Sequence, residues 1–370
     1  MIAATIFTLG LAFVVYVLAG YPLLLALRAR RSRPIERDPN LERVTVLLAV
    51  RNGERWIAAK LRTLAELDYP RELLQILVIS DGSTDGTDAL VEASASGTLR
   101  LIRGPSGGKA AALNAGIAQS SGDILFFTDV RQRLEPNCLR RLVAAFADRT
   151  VGVASGELVI VDGVTSEEAS VGLYWRYEKW IRERLSMLDS VPGATGCIYA
   201  MRRDLAVPLP ADTILDDVYL PLAAFFRGYR VIWDSSAKAY DEPASLGTEF
   251  RRKVRTQAGV YQVMRYYPQL LLPWRNRIWL DFVSHKLARL LLPLALLAMA
   301  VSSLWLPPVL LGLQAAFYLM AAADGSIPDG SLLKRASSPA RTFVVLMAAA
   351  LCAAVILVKP QVNLWGEARR

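Results

Sequence analysis

Carboxylates are the groups this chain offers for acid–base chemistry. Its one histidine, His285, stands just before an apolar segment, and its three cysteines, Cys138, Cys197 and Cys352, are scattered. A Ser-His-Asp or Cys-His pair therefore has no histidine to use in the central region. The cysteine spacing gives neither a disulfide framework nor a zinc site, and it fits a reducing, cytosolic setting. Asp81 lies in the turn Ser80-Asp81-Gly82-Ser83-Thr84-Asp85-Gly86-Thr87, directly after the apolar run Ile76 to Ile79. Open α/β sheets bind ligands beyond such strand ends. A carboxylate there can accept hydrogen bonds from a base or a sugar, or ligate a cation. Ser83, Thr84 and Asp85 also suit a helix start. Asp129 ends the run Asp123 to Thr128 and would face the same crevice. One or two carboxylates, completed by substrate phosphates and water, commonly hold Mg2+ or Mn2+. Gly107-Gly108-Lys109 opens a helical stretch, where backbone N–H groups and a lysine can meet an anion. Asp216-Asp217 are adjacent acids before a second helical stretch, Val218 to Arg227. They can cap that helix, or one can act as a general base, since a neighbouring carboxylate raises proton affinity. Arg251-Arg252-Lys253-Val254-Arg255 can bind lipid headgroups or offer a guanidinium fork to a diphosphate.

Alternating segments position these groups. Val44 to Val50, Gln75 to Ser80, Leu99 to Arg103 and Asp123 to Thr128 read as strands. Between and after them Glu54 to Leu67, Thr84 to Ala95, Lys109 to Gln119 and Pro136 to Phe146 read as helices, the first with Trp56, Leu61, Leu64 and Leu67 on one face. That alternation predicts a doubly wound, mostly parallel α/β sheet. Composition requires more than a soluble domain, because 53% of the 370 residues are apolar. Residues 1–27 hold an uncharged apolar run, Ile2 to Leu27, long enough to span a bilayer. A basic juxtamembrane linker, 28–42, follows and carries Arg28, Arg30, Arg31, Arg33 and Arg37. By the positive-inside rule the catalytic region after it, 43–248, is expected in the cytosol. A basic and aromatic interfacial segment, 249–286, leads to about three apolar spans in 287–358 and a tail, 359–370. The net charge of +9 gathers near the apolar segments. It points to anionic lipid, and no basic stripe interleaved with aromatics suggests nucleic acid.

In order and spacing these parts resemble the family-2 glycosyltransferases, inverting enzymes with a GT-A fold, and in particular their membrane-integral bacterial members. The resemblance covers Val44 to Gly259. It rests on Ala49-Val50-Arg51-Asn52-Gly53-Glu54, the Asp81 to Thr87 turn, Gly108-Lys109 with Leu113-Asn114-Ala115-Gly116, Thr128-Asp129, and Asp216-Asp217 with Gly228-Tyr229. It implies that Asn52, Glu54 and Asp81 hold the nucleotide of a donor sugar, with Lys109 and Asp129 beside it. Asp129 matches the first aspartate of the Asp-x-Asp motif, which holds Mg2+ or Mn2+ and the diphosphate. Asp217 matches the general base of the family's Glu-Asp pair, and Asp216 stands where Glu is usual. Gly193, Thr195 and Gly196 fall where the acceptor is positioned. Arg252 and Arg255 fall where processive members carry Gln-x-x-Arg-Trp, of which the Gln and the Trp are absent. Arg131 replaces the second metal-motif aspartate. Either Asp129 alone supplies the protein's ligand, or Arg131 takes part of the metal's role by pairing with the diphosphate.

The function so implied is inverting transfer of a sugar from a nucleotide-diphosphate donor to a lipid-linked or other membrane-proximal glycan acceptor. It belongs to cell-envelope or exopolysaccharide synthesis at a bacterial inner membrane. Two other readings stay open at this point: a processive polysaccharide synthase, and a non-catalytic membrane scaffold that keeps the nucleotide-binding fold.

Overall fold

The computed structural model describes residues 1–39, 41–161, 166–242 and 246–357, at 166–173 and 246 by backbone alone. The tail expected at 359–370 lies outside the described residues. The chain divides into two compact units, one drawn from 1–30, 162–181 and 243–370, the other from 31–161 and 182–242.

The second unit is built on eight strands: β1 (Val44–Val50), β2 (Leu74–Ser80), β3 (Leu99–Arg103), β4 (Ile124–Phe127), β5 (Arg133–Leu134), β6 (Val151–Ile160), β7 (Tyr199–Arg202) and β8 (Arg230–Asp241). They form one sheet in the order β3-β2-β1-β4-β7-β6-β8-β5. β1 and β2 are apolar almost throughout, as strands covered on both faces must be. Pairing is parallel from β3 through β2 and β1 to β4. The order runs outward from β1 to β3 on one side and returns to β4 on the other, so the crevice opens at the carboxyl ends of β1 and β4. The expected parallel character holds for this half. Beyond β4 the sheet is mixed, because β7 runs antiparallel to both β4 and β6 while β6 and β8 are parallel. The antiparallel step has a consequence for the site. Phe127, at the end of β4, lies opposite Tyr199, at the start of β7. The chain entering β7 therefore arrives beside Asp129.

The helices of this unit follow the expected crossovers with shifted ends. The first, Glu54–Ala65, buries Ile57, Lys60, Leu61 and Leu64 against the sheet. Trp56, expected on that face, is instead 36% exposed. The helix after β2 is Thr87–Ala93, since Ser83 to Gly86 are spent on the turn. The helix Lys109–Ala118 starts at the lysine. The helix Asp216–Phe226 starts at the two acids, which sit in its first turn where the macrodipole favours them.

Among the described residues the first unit contains four helices long and apolar enough to cross a membrane: Ile2–Arg28, Trp279–Trp305, Pro308–Ser326 and Leu332–Leu357. The second of these begins at Trp279, ahead of the apolar run that starts at Leu287. The first two contain π-helical turns, at Tyr16–Gly20 and Val283–Leu287. The Tyr16 hydroxyl and Ser284 Oγ are 2.7 Å apart, and Arg28 donates two bonds to the buried Asp281 carboxylate at 2.6 and 3.1 Å. Arg289 pairs with the buried Glu178.

Candidate active site

One wall of the crevice comes from the loops that follow β1 and β2. Asn52 takes a left-handed backbone, φ +52, which asparagine tolerates better than most residues. Its N–H donates to Ser83 Oγ at 3.1 Å, and its Oδ1 accepts from the Thr84 N–H at 2.8 Å. The same pattern repeats at Glu54. Asp85 Oδ2 accepts from the Glu54 N–H at 3.1 Å, and Glu54 Oε2 accepts from the Gly86 N–H at 3.0 Å. The two loops are thus laced by side-chain-to-backbone bonds. Asp81 sits behind the lacing, 2% exposed. Its Oδ1 accepts from the Gly108 N–H at 3.1 Å, while its buried Oδ2 has no partner among the described residues. A buried carboxylate oxygen left unpaired is costly, and a donor from a ligand would satisfy it. The loop closes tightly, because a Cβ on Gly82 would lie 2.2 Å from Ser106 Oγ and φ there is +66.

The other wall is acidic. Lys109 Nζ lies 3.0 Å from Asp129 Oδ1 and 3.2 Å from Asp216 Oδ1. Burial alone would lower the Lys109 proton affinity. The Asp129, Asp216 and Asp217 charges outweigh it and hold the ammonium above the ordinary lysine range. Asp129 keeps 40% of its side chain exposed, whereas Asp216 is buried. The Gly193 to Gly196 loop wraps Asp217: the Ala194 N–H donates to the Asp217 carbonyl at 2.7 Å, and a Cβ on Gly196 would lie 2.8 Å from Asp217 Oδ2. Thr195 is fixed by its N–H to Ser155 Oγ at 2.8 Å and by Arg182 Nη1 to its Oγ1 at 2.9 Å. Tyr199 stacks on Phe127 with ring centroids 4.5 Å apart. Its hydroxyl is buried without a partner, and burial together with Asp216, Asp217 and Asp129 pushes its ionisation well above the ordinary range.

Arg131 is engaged by a residue far along the chain. Its guanidinium pairs with Asp241, which is buried and also accepts from Gln132 Nε2 at 2.8 Å. Arg252 and Arg255 belong to the other compact unit, on the helix Leu246–Tyr266, where Arg252 lies 3.7 Å from Glu249. Among the described residues no group of three His, Cys, Asp or Glu side chains is placed to hold a metal ion. The donor set offers a divalent ion one half-exposed carboxylate, Asp129, whose Oδ1 already faces the Lys109 ammonium at 3.0 Å. It does not form a cage of protein ligands.

A sequence profile described as "Glycosyl transferase family 2" matches residues 45–207, and one described as "Glycosyl transferase family group 2" matches 129–356. The chain belongs to glycosyltransferase family 2. It is 24% identical over 320 residues to a beta-monoglucosyldiacylglycerol synthase of Synechocystis, with 80% of this chain and 66% of that protein covered. It is also 24% identical over 236 residues to a poly-beta-1,6-N-acetyl-D-glucosamine synthase of Staphylococcus aureus, with 60% and 56% covered. The chain thus spans roughly three fifths of the length of these curated relatives. In structure it is similar to a mannosyltransferase from Pyrobaculum calidifontis solved with GDP-Man and Mn2+. The TM-score is 0.73, with 24% identity over 96% of this chain and 99% of that one, a likeness of fold.

For this family-2 chain the structure brings Asn52, Glu54, Asp81, Lys109, Asp129, Asp216, Asp217 and the Gly193 to Gly196 loop to one end of one sheet. Sequence reasoning missed Asp241, Tyr199 and Lys60. Asp241 and Tyr199 carry no local signal. Lys60 carried one, a lysine in register with the apolar stripe of its helix.

Proposed function

We propose that this chain transfers a sugar, with inversion, from a nucleotide-diphosphate sugar to a hydroxyl of a lipid-linked or other membrane-proximal acceptor on the cytosolic side of a bacterial inner membrane. The observation that carries the reading is the Lys109 ammonium bridging Asp129 and Asp216 at 3.0 and 3.2 Å. It ties the expected donor side of the crevice to Asp216, the acid next to the expected base Asp217. In this reading Asn52 and Asp81 hold the nucleotide, with the unpaired Asp81 Oδ2 accepting from its base or ribose. Asp217 takes the proton of the acceptor hydroxyl as the oxygen attacks the anomeric carbon. The bond to the diphosphate breaks on the opposite face, and Lys109 and Arg131 stabilise the departing charge. Asp129 would hold Mg2+ or Mn2+ together with the diphosphate, and the ion would neutralise leaving-group charge. The Gly193 to Gly196 loop packs closely on Asp217, as its glycines allow, and would position the acceptor beside the base.

The test is a membrane assay with a panel of labelled nucleotide sugars, with and without EDTA, on wild type and Asp217→Asn. One donor should be used, and Asp217→Asn should lose about 10²–10⁴-fold in turnover while still binding it, as for loss of a general base. Full activity in Asp217→Asn removes the base assignment, and binding without turnover for every acceptor supports a scaffold. The similarity to the poly-N-acetylglucosamine synthase favours a second reading, chain extension. Product length separates the two, a single added sugar against a polymer.

A further inference from the structure

Lys60 is a buried charge in the domain that the mechanism leaves unused. It is 2% exposed, on the inward face of its helix between Ile57 and Leu61. No described carboxylate forms an ion pair with it. Its Nζ donates to Thr128 Oγ1 at 2.6 Å and to the Gln132 carbonyl at 2.9 Å. Those two residues are the ends of the segment Thr128-Asp129-Val130-Arg131-Gln132. The same hydroxyl, Thr128 Oγ1, donates onward to the Cys197 carbonyl at 2.9 Å, one residue past Gly196. The segment's far end is fixed a second time, because Arg131 and Gln132 both bond Asp241.

An unpaired ammonium in a core costs free energy that an apolar residue at an apolar-stripe position would avoid. The geometry states what that cost supports. A five-residue loop is cinched at both ends by one cation, leaving Asp129 and Arg131 at its crest, and the cinch is linked through Thr128 to the loop that wraps Asp217. We propose that Lys60 is a positioning residue: it sets the crest that receives the donor diphosphate and keeps it in register with the acceptor loop, without touching either substrate. Burial lowers its proton affinity to about 8, with Cys197, Asp129 and Cys138 opposing the shift, so the cation persists at neutral pH. The inference rests on the donor-site reading given above and adds to it the residue that shapes the diphosphate subsite.

The test separates base binding from diphosphate binding on the full chain in detergent. ADP, CDP, GDP and UDP are titrated calorimetrically against wild type to find the preferred nucleoside diphosphate. That diphosphate and its parent nucleoside are then titrated against Lys60→Met, Thr128→Val and Thr128→Ser. Lys60→Met should weaken the diphosphate at least about tenfold and lower turnover about 100-fold, the scale of a displaced catalytic group. Nucleoside binding should stay within about twofold, because the Asn52 and Asp81 wall does not contact Lys60. Thr128→Val should reproduce the diphosphate-selective loss, and Thr128→Ser, which keeps the hydroxyl, should restore it. Equal losses of nucleoside and diphosphate would make Lys60 a general stabiliser and overturn the proposal, as would unchanged diphosphate binding. If Lys60→Met does not fold, the two Thr128 variants decide by the same criterion. If wild type binds none of the four diphosphates, the donor-site reading itself falls. If wild type binds one and Lys60→Met and Thr128→Val bind it as wild type does, only the role of Lys60 falls.

Discussion

The wall built from Asn52, Glu54, Asp81 and Asp85 is closed mainly by side-chain-to-backbone hydrogen bonds, whereas the cluster of Lys109, Asp129 and Asp216 is held by charge. The first wall joins two adjacent parallel strands, and its partners lie 31 to 34 residues apart. The second joins helix starts and strand ends across the switch from parallel to antiparallel pairing. A wall of satisfied backbone N–H groups is rigid and nearly indifferent to what binds, apart from the one open oxygen of Asp81. A cluster of one cation among three carboxylates is responsive, because each added charge, a diphosphate or a metal ion, changes its balance. In the proposed reading, shape recognition falls to one wall and chemistry to the other.

The largest break in that contrast is Lys109→Met. Removing the ammonium leaves Asp129, Asp216 and Asp217 facing one another without their shared cation. Turnover should fall about 100-fold, on the scale of losing a preorganised charged group, while nucleoside affinity stays near wild type. Lys109→Arg should restore little, since a planar fork does not replace a point charge between two carboxylates. Steady-state kinetics with nucleoside titrations on the same preparations measure both. A loss of nucleoside binding equal to the loss of turnover would mean that the two walls are not separate.

Asp81→Asn tests the other side and should be smaller. The amide keeps an acceptor but replaces one carboxylate oxygen by a donor. Nucleoside and nucleoside diphosphate should both weaken about tenfold, in step with loss of a charge-assisted bond. That signature is the reverse of the one expected for Lys60→Met, which discriminates between the two ligands. Isothermal titration with each ligand decides, and unchanged nucleoside affinity would remove Asp81 from the nucleotide site.

The difference between the walls also explains what could be read in advance. One side of the first wall is written in consecutive residues, Asp81 to Thr87, whose turn and capping chemistry is local. Asp129, Asp216 and Asp217 were legible as strand-end and helix-start acids, but their meeting on Lys109 was not. That meeting depends on β7 returning antiparallel beside β4, and no local propensity announces such a return. Arg131 reads in sequence as a departure from the metal motif. Its partner Asp241 is 110 residues away at the end of β8, so the pair exists only through sheet order. Trp56 was misplaced and Lys60 missed for a related reason. Hydrophobicity alone puts the tryptophan inside and the lysine outside, and the buried hydrogen bonds to Thr128 and Gln132 reverse that assignment for Lys60.

The smallest expected effect concerns pH and bears on that reversal. Lys60 is held at about 8, whereas an unfolded lysine titrates near 10.4. Above pH ~8 the unfolded chain therefore binds more protons at this site than the folded one, and stability rises with pH by up to ~1.4 kcal/mol per unit. Cys138 and Cys197, facing the same interior, act with the opposite sign. Burial pushes both thiols up to about 12. Unfolded thiols ionise near 8.5, so from there upward the folded chain holds the extra protons and stability falls. Wild type should thus be nearly level in unfolding midpoint from pH 7.5 to 8.5 and then decline. Cys138→Ser with Cys197→Ser should uncover a rise of about 2–4 °C per pH unit between 8 and 10, the size expected when one proton's linkage is spread over a domain of this length. Adding Lys60→Met to that background should flatten the rise. Unfolding followed by intrinsic fluorescence across this pH range measures all three curves. A rise that survives Lys60→Met would belong to another group and would remove the buried cation from the account of how the donor crest is held.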